Sequence, residues 1–112
     1  MNIPEPSENI FTIYSKSNCT YCTKVELLLE DYFEQCNLEQ LDTELNEYKK
    51  INCDTYIENS KDKEYFINFM EKLANVRPNI FPMVFYDKKF IGGFKEMETY
   101  LKDKSLKFDE DF

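Results

Sequence analysis

Two cysteines separated by two residues, Cys19 and Cys22 in Ser15-Lys16-Ser17-Asn18-Cys19-Thr20-Tyr21-Cys22, carry the clearest chemical potential in this chain. Thiols at this spacing can close into a disulfide and reopen with little backbone movement, which suits thiol–disulfide exchange. Exchange needs a thiolate. A helix N-terminus favours one, because its unpaired N–H groups and its dipole place positive charge there. The flanking residues supply such a place. Ile10-Phe11-Thr12-Ile13-Tyr14 is β-branched and aromatic, as a strand requires. Beyond the pair, Val25, Leu28, Leu29, Tyr32 and Phe33 recur at helical spacing and predict a helix from Thr20 to Gln35. The thiols therefore fall on a strand-to-helix turn.

Composition narrows what such a pair can be for. A chain of 112 residues makes one domain. Its net charge is −8, from 22 acidic against 14 basic residues, with Arg77 as the single arginine. Binding of phosphates needs clustered Lys and Arg, so no nucleic-acid or anionic membrane partner is expected. The chain has no histidine, which removes Cys–His and Ser–His catalysis and histidine metal sites together. No run has the length of a membrane span. Met1-Asn2-Ile3-Pro4-Glu5-Pro6-Ser7-Glu8 lacks the basic start and apolar block of a secretory signal, so the expected location is cytoplasmic. In that compartment a structural disulfide framework is not expected. Cys36 and Cys53 have no C-x-x-C partner and read as small apolar filler. The spacing of the 4 cysteines is unlike the paired knuckles of structural zinc sites, so no metal site is assigned.

The elements that must hold the pair follow along the chain. Residues 1–9, polar and carrying Pro4 and Pro6, read as a flexible N-terminal arm. Cys36 to Leu45 is acidic, with Leu38, Leu41 and Leu45 at helical spacing, and either extends the first helix or forms a short separate one. Tyr48 to Asp54 alternates as a second strand. Phe66, Phe69, Met70 and Leu73 form the stripe of a second helix, with Asp62 near its start, Lys72 near its end, and Ser60 or Asp62 as cap. Phe81-Pro82-Met83-Val84-Phe85-Tyr86 is an unbroken apolar run, typical of a strand buried on both faces. Asp87-Lys88 turns the chain into Lys89-Phe90-Ile91. Gly92-Gly93 then leads to a last helix with Met97, Tyr100 and Leu101 inward, and residues 105–112 form an acidic tail. The order is β-α-β-α-β-β-α: a parallel βαβ unit, then an antiparallel hairpin.

With these residues in this order, the chain resembles the dithiol glutaredoxins of the thioredoxin-fold superfamily. Tyr14-Ser15-Lys16-Ser17-Asn18-Cys19-Thr20-Tyr21-Cys22 is similar to the family's F-S-K-x-x-C-P-Y-C. Pro82 stands directly before the third strand after an apolar residue, Gly92-Gly93 follows the fourth, and a short helix comes next. The resemblance spans residues 10–104, the expected glutaredoxin domain. It implies an α/β thioredoxin fold, a four-stranded mixed sheet flanked by helices. The sequence departs from the family where Thr20 replaces a common proline and where the stretch from Cys22 to Pro82 is longer, with the excess around 36–47. Phe94-Lys95-Glu96 also stands where a small residue and an acid are usual.

The resemblance assigns roles residue by residue. Cys19 is the nucleophile and Cys22 the resolving thiol. Lys16 supports the thiolate and holds a glutathione carboxylate, and Tyr21 packs near bound glutathione. A cis peptide before Pro82 turns the backbone of Phe81 toward the ligand, which pairs with it as an added strand. Gly93 and Phe94 open the last helix, whose amides receive the γ-glutamyl carboxylate, with Lys95 in place of the missing acid. The implied activity is a monomeric glutathione-dependent thiol–disulfide oxidoreductase. Its reductant is glutathione, and its partners are glutathionylated or disulfide-bonded proteins, among them ribonucleotide reductase by family analogy. Two other readings stay open. Some glutaredoxins without the motif proline hold a glutathione-ligated [2Fe-2S] cluster between two protomers, and Thr20 leaves that open. A thioredoxin-like disulfide reductase with little use of glutathione is kept open by Phe94-Lys95.

Overall fold

The first strand and the helix behind the cysteines form where the apolar spacing puts them. In the computed structural model, which describes residues 2–38, 47–78 and 80–106, strand β1 is Phe11–Ser15 and helix α1 is Thr20–Leu38. Every residue of β1 is buried, because it runs through the middle of the sheet. On one side it pairs in parallel with β2, Tyr48–Asn52, in a register that sets Phe11 against Tyr48 and Ser15 against Asn52. On the other it pairs antiparallel with β3, Met83–Tyr86, setting Tyr14 against Met83. Strand β4, Lys89–Gly92, closes the hairpin expected at Asp87-Lys88, both of which take the left-handed conformation. The strand order is β2-β1-β3-β4. Helices α2, Ser60–Ala74, and α3, Phe94–Leu106, complete the β-α-β-α-β-β-α thioredoxin fold.

Because side chains alternate along a strand, the sheet has two apolar faces and needs a helical layer on each. Phe11, Ile13 and Val84 pack with Val25, Leu29 and Phe33 of α1 and with Met97 and Leu101 of α3. Tyr14, Ile51, Met83 and Phe85 pack with Phe66 and Met70 of α2. Val84 and Phe85 are completely buried, as the unbroken apolar run of β3 requires.

Several boundaries differ from the sequence reading. Residues 2–9, expected as a flexible arm, make contacts with the body of the domain. Ile3 joins the core behind Tyr14, Pro6 is buried, and the Tyr14 hydroxyl donates to the Pro4 carbonyl at 2.5 Å. Ser7 N–H donates to Thr12 Oγ1 and Asn9 N–H to Asp87 Oδ1, each at 2.9 Å. A fully buried tyrosine needs an acceptor for its hydroxyl, and the chain before β1 supplies it. Helix α1 continues beyond Gln35 to Leu38, so the first part of 36–47 extends it. Positions 39–46, with Leu41 and Leu45, lie outside the described residues, as do 107–112 of the tail. Strand β2 ends at Asn52, whose side chain accepts from Asp54 N–H at 2.9 Å and turns the chain into a 3₁₀ turn, Asp54–Tyr56. The cap of α2 is Asn59, accepting from Asp62 N–H at 2.8 Å, and neither Ser60 nor Asp62. Gly92 has φ +136, and a Cβ there would lie 2.6 Å from Glu96 Cγ. Only glycine meets both conditions.

Candidate active site

Cys19 reaches its position through one residue. Asn18, at φ 57, takes the left-handed conformation that asparagine tolerates and turns the chain out of β1. Helix α1 then starts at Thr20, with its first backbone bond from Thr23 N–H to the Cys19 carbonyl at 3.2 Å. Cys19 is thus the N-cap residue, and its sulfur stands where a capping oxygen would. It accepts the N–H of Cys22, at the third helical position, at 3.2 Å. That donor and the helix dipole both favour negative charge on Cys19 Sγ. The two sulfurs differ in exposure. Cys19 is partly exposed, whereas Cys22 is 2% exposed and faces the interior. They are joined as a disulfide with Cα atoms 5.3 Å apart.

The turn is held from the side by residues the sequence reading did not single out. Cys53 N–H donates to the Ser15 carbonyl at 2.8 Å, continuing the β1–β2 pairing. The Asp54 carboxylate accepts both the Ser17 hydroxyl, at 2.5 Å, and the Ser17 N–H, at 2.9 Å. These donors hold the Asp54 carboxyl below the usual aspartate range, the Ser17 side chain contributing most and Lys16 adding a smaller pull. Nothing in the sequence marks Asp54, because only the parallel register of β1 and β2 brings it to Ser17.

The other expected site residues gather around this turn in part. Lys16 Nζ lies 5.8 Å from the centroid of the Phe81 ring, and the Phe81–Pro82 bond is cis. The Tyr14–Met83 register puts Pro82 beside the end of β1. The Pro82 carbonyl is 3.5 Å from where a Cβ on Gly93 would be. Phe94 packs its ring on Tyr21, centroids 5.4 Å apart, and Lys24 stands over both at 5.1 Å from Tyr21 and 5.8 Å from Phe94. Lys24, which reads from the sequence as a solvated helix residue, therefore joins the aromatic rim. Lys95 does not join the site. It lines a separate groove between α3 and β4, with Tyr86, Phe90 and Tyr100. Gly93 N–H donates to Glu96 Oε1 at 2.8 Å, so this amide already has a carboxylate within the chain.

Cys53 behaves as filler. It is buried, its Sγ–H donates weakly to the Ile51 carbonyl at 3.6 Å, and burial pushes its thiol up to about 12. The Cys36 side chain lies outside the described residues. Among the described residues no helix is long and apolar enough to cross a membrane.

Fold and site together define a thioredoxin-fold protein with a C-x-x-C pair, closed as a disulfide, at the N-cap of its first helix. No protein-family model matches the sequence, and no curated protein matches it. Solved structures similar to this chain are glutaredoxins. A buckwheat glutaredoxin–glutathione complex superposes at TM-score 0.59 and 23% identity, covering 88% of this chain and 73% of that one. Glutaredoxin 1 from Francisella tularensis, complexed with cacodylate, gives 0.57 and 21%, covering 87% and 95%. The dithiolic glutaredoxin of Trypanosoma brucei brucei gives 0.57 and 21%, covering 88% and 84%. At these identities the likeness establishes the fold.

Proposed function

We propose that this chain is a glutaredoxin-type, glutathione-dependent thiol–disulfide oxidoreductase acting as a cytoplasmic monomer. The observation that carries the reading is the placement of Cys19 Sγ at the helix N-cap, accepting Cys22 N–H, with Cys22 buried behind it. Cys19 thiolate attacks the glutathione sulfur of a protein mixed disulfide. The protein leaves as a thiolate, and glutathione is left on Cys19. A second glutathione thiolate attacks that bond, releasing oxidised glutathione and restoring Cys19. With a protein disulfide, Cys22 resolves the intermediate by attacking Cys19.

The remaining assignments rest on the resemblance together with proximity. Lys16, Tyr21, Phe81, Pro82, Gly93 and Phe94 border the turn and would form the glutathione groove. The groove differs at its far end. Because Glu96 already occupies the Gly93 amide and Lys95 faces elsewhere, glutathione is held chiefly through its cysteinyl and glycyl parts, along Phe81 and Lys16. The glutathione in the buckwheat complex supports the same ligand class for this fold. The protein substrates are glutathionylated or disulfide-bonded proteins, with ribonucleotide reductase as the analogue to try first.

The test is coupled glutathione turnover. Cys19→Ser should abolish reduction of a glutathione mixed disulfide, and substantial residual turnover would refute its role. Cys22→Ser should spare that reaction and impair reduction of a plain protein disulfide. Equal loss in both assays would show the division of labour to be wrong.

A further inference from the structure

Phe81 stands in the loop between α2 and β3, next to Ile80, which is 70% exposed. A half-buried ring in a loop is free to turn unless its neighbours fix it. Here two other rings do so. Phe66 lies nearly parallel to Phe81, at 12° and 5.9 Å between centroids, and Tyr56 lies nearly parallel to Phe66, at 15° and 5.8 Å. At these separations parallel rings are stacked with an offset, which attracts them beyond the area they bury. Each ring comes from a different part of the chain: Tyr56 from the 3₁₀ turn after β2, Phe66 from α2, and Phe81 from the loop before β3. Phe66 is completely buried, and the Tyr56 hydroxyl donates to the Asn2 carbonyl at 3.2 Å. The stack therefore begins against the chain before β1 and ends at the turn that carries the cysteines.

Its last ring holds a charge. Lys16 Nζ stands over Phe81 at 5.8 Å from the centroid, within the range at which a cation is drawn to a ring face. Lys16 is exposed, and among the described residues it makes no ion pair. Asp54 lies near enough to feel its charge, yet that carboxylate accepts the Ser17 hydroxyl and N–H. The ammonium is thus held by a ring rather than neutralised by an acid, in a chain whose net charge is −8. Lys16 and Cys19 also line one pocket, so a carboxylate on a thiol joined to Cys19 comes within reach of that charge. A lysine moving freely in water loses rotamer freedom when a ligand fixes it. One already resting on a ring loses less, and the ligand is held more tightly.

We propose that Tyr56 and Phe66 are positioning residues for the exchange reaction: they fix the Phe81 ring, and the ring holds the Lys16 ammonium ready for the carboxylate of the incoming thiol. The inference rests on the glutathione-dependent reading above. It assigns the preference for a carboxylate-bearing thiol to a stack of three rings, two of which lie outside the glutathione groove.

The experiment compares two mixed disulfides of one cysteine peptide, the first made with glutathione and the second with glutathione esterified at its glycyl carboxylate. The quantity read is the ratio of kcat/KM for the first to that for the second. Lys16→Gln should lower this ratio about two- to fivefold, the size of an exposed ion pair. Tyr56→Leu should lower it about twofold, and Tyr56→Phe, which keeps the ring, should restore it. In the double variant of Lys16→Gln and Tyr56→Leu the ratio should fall no further than in Lys16→Gln alone, because both act on one contact. The contact is also read without ligand. The ε-methylene protons of Lys16 should carry a ring-current shift that shrinks in Tyr56→Leu and persists in Tyr56→Phe. Phe81→Val, which leaves Tyr56 and Phe66 in place, should abolish that shift and lower the ratio as far as Lys16→Gln does, so the test stands even where Tyr56→Leu fails to fold. A parent-like ratio and Lys16 shift in folded Tyr56→Leu or in Phe81→Val, or losses that multiply in the double variant, overturn the proposal. Failure of the glutathione reading looks different: the parent protein would not distinguish the two disulfides, while the Lys16 shift would still respond to Tyr56→Leu.

Discussion

The acidity of Cys19 can be tested by removing one hydrogen atom. The donor to its sulfur is the backbone N–H of Cys22, at the third helical position, where an N–H has no partner within the helix. Serine and proline at position 22 both abolish the second thiol, but only proline also removes that N–H. Proline is tolerated in a first helical turn because the lost donor makes no helical bond. A hydrogen bond to a charged group contributes about 1.5–3 kcal/mol. At about 1.4 kcal/mol per pKa unit, Cys22→Pro should raise the Cys19 pKa by about 1–2 units over Cys22→Ser. Cys19 is partly exposed, so the lower half of that range is expected. The helix dipole remains in both variants and contributes about 0.3–1 kcal/mol. Both effects act in the same direction and hold the Cys19 thiol of Cys22→Ser below the free-thiol value of about 8.5. The assay is the ultraviolet thiolate absorbance as a function of pH, confirmed by the pH dependence of alkylation, with circular dichroism to verify that α1 is retained. Equal pKa values in the two variants with the helix intact would refute the claim that this amide acidifies the sulfur. A value near that of a free thiol in both would remove the basis for Cys19 as nucleophile.

Other outcomes follow from the same contacts. The clamp on Ser17 should depend on the charge of Asp54, whose carboxyl titrates below its ordinary value of about 3.9. A lowered pKa means that the clamp is at full strength above that ordinary value and is lost as pH falls through the folded-state value. The Ser17 amide resonance should therefore hold steady down to about pH 3.9 and move only below it, and movement at higher pH would contradict the clamp. Phe66 is completely buried between the rings of Tyr56 and Phe81, at centroid distances of 5.8 and 5.9 Å. Phe66→Ala should cost about 3–5 kcal/mol in denaturant unfolding, and a cost below about 1 kcal/mol would show that the core had closed around the gap. Cys53, with its thiol pushed up to about 12, should resist alkylation in the folded protein and react on unfolding, as read by peptide mass spectrometry. Rapid labelling at neutral pH would mean that its surroundings open. Glu96→Gln should tighten glutathione by weakening the internal carboxylate on Gly93 N–H, so the KM for glutathione should fall while turnover of a plain protein disulfide stays level. An unchanged KM would show that glutathione never reaches that amide.

Local features alone determined much of this protein. The C-x-x-C on a strand-to-helix turn, the order of the elements, the buried third strand and the hairpin are all written in short-range spacing and turn residues. Such features act over a few residues, so they survive without knowledge of the fold. Long-range pairing decided the rest. Ser17 and Asp54 meet only because β1 and β2 run parallel in one particular register, and the chain before β1 is held by the Tyr14 hydroxyl, the core around Ile3 and the Asp87 carboxylate, partners that only folding supplies. Phe94 and Lys95 are adjacent in sequence, yet helical geometry sends the first to Tyr21 and the second to a different groove. Glu26 carries no motif, and it meets the Tyr48 hydroxyl and the Lys50 ammonium only because β2 lies beside α1 in the fold. Sequence spacing selects the reacting sulfur, while the groups that tune it come from distant parts of the chain that only folding brings together.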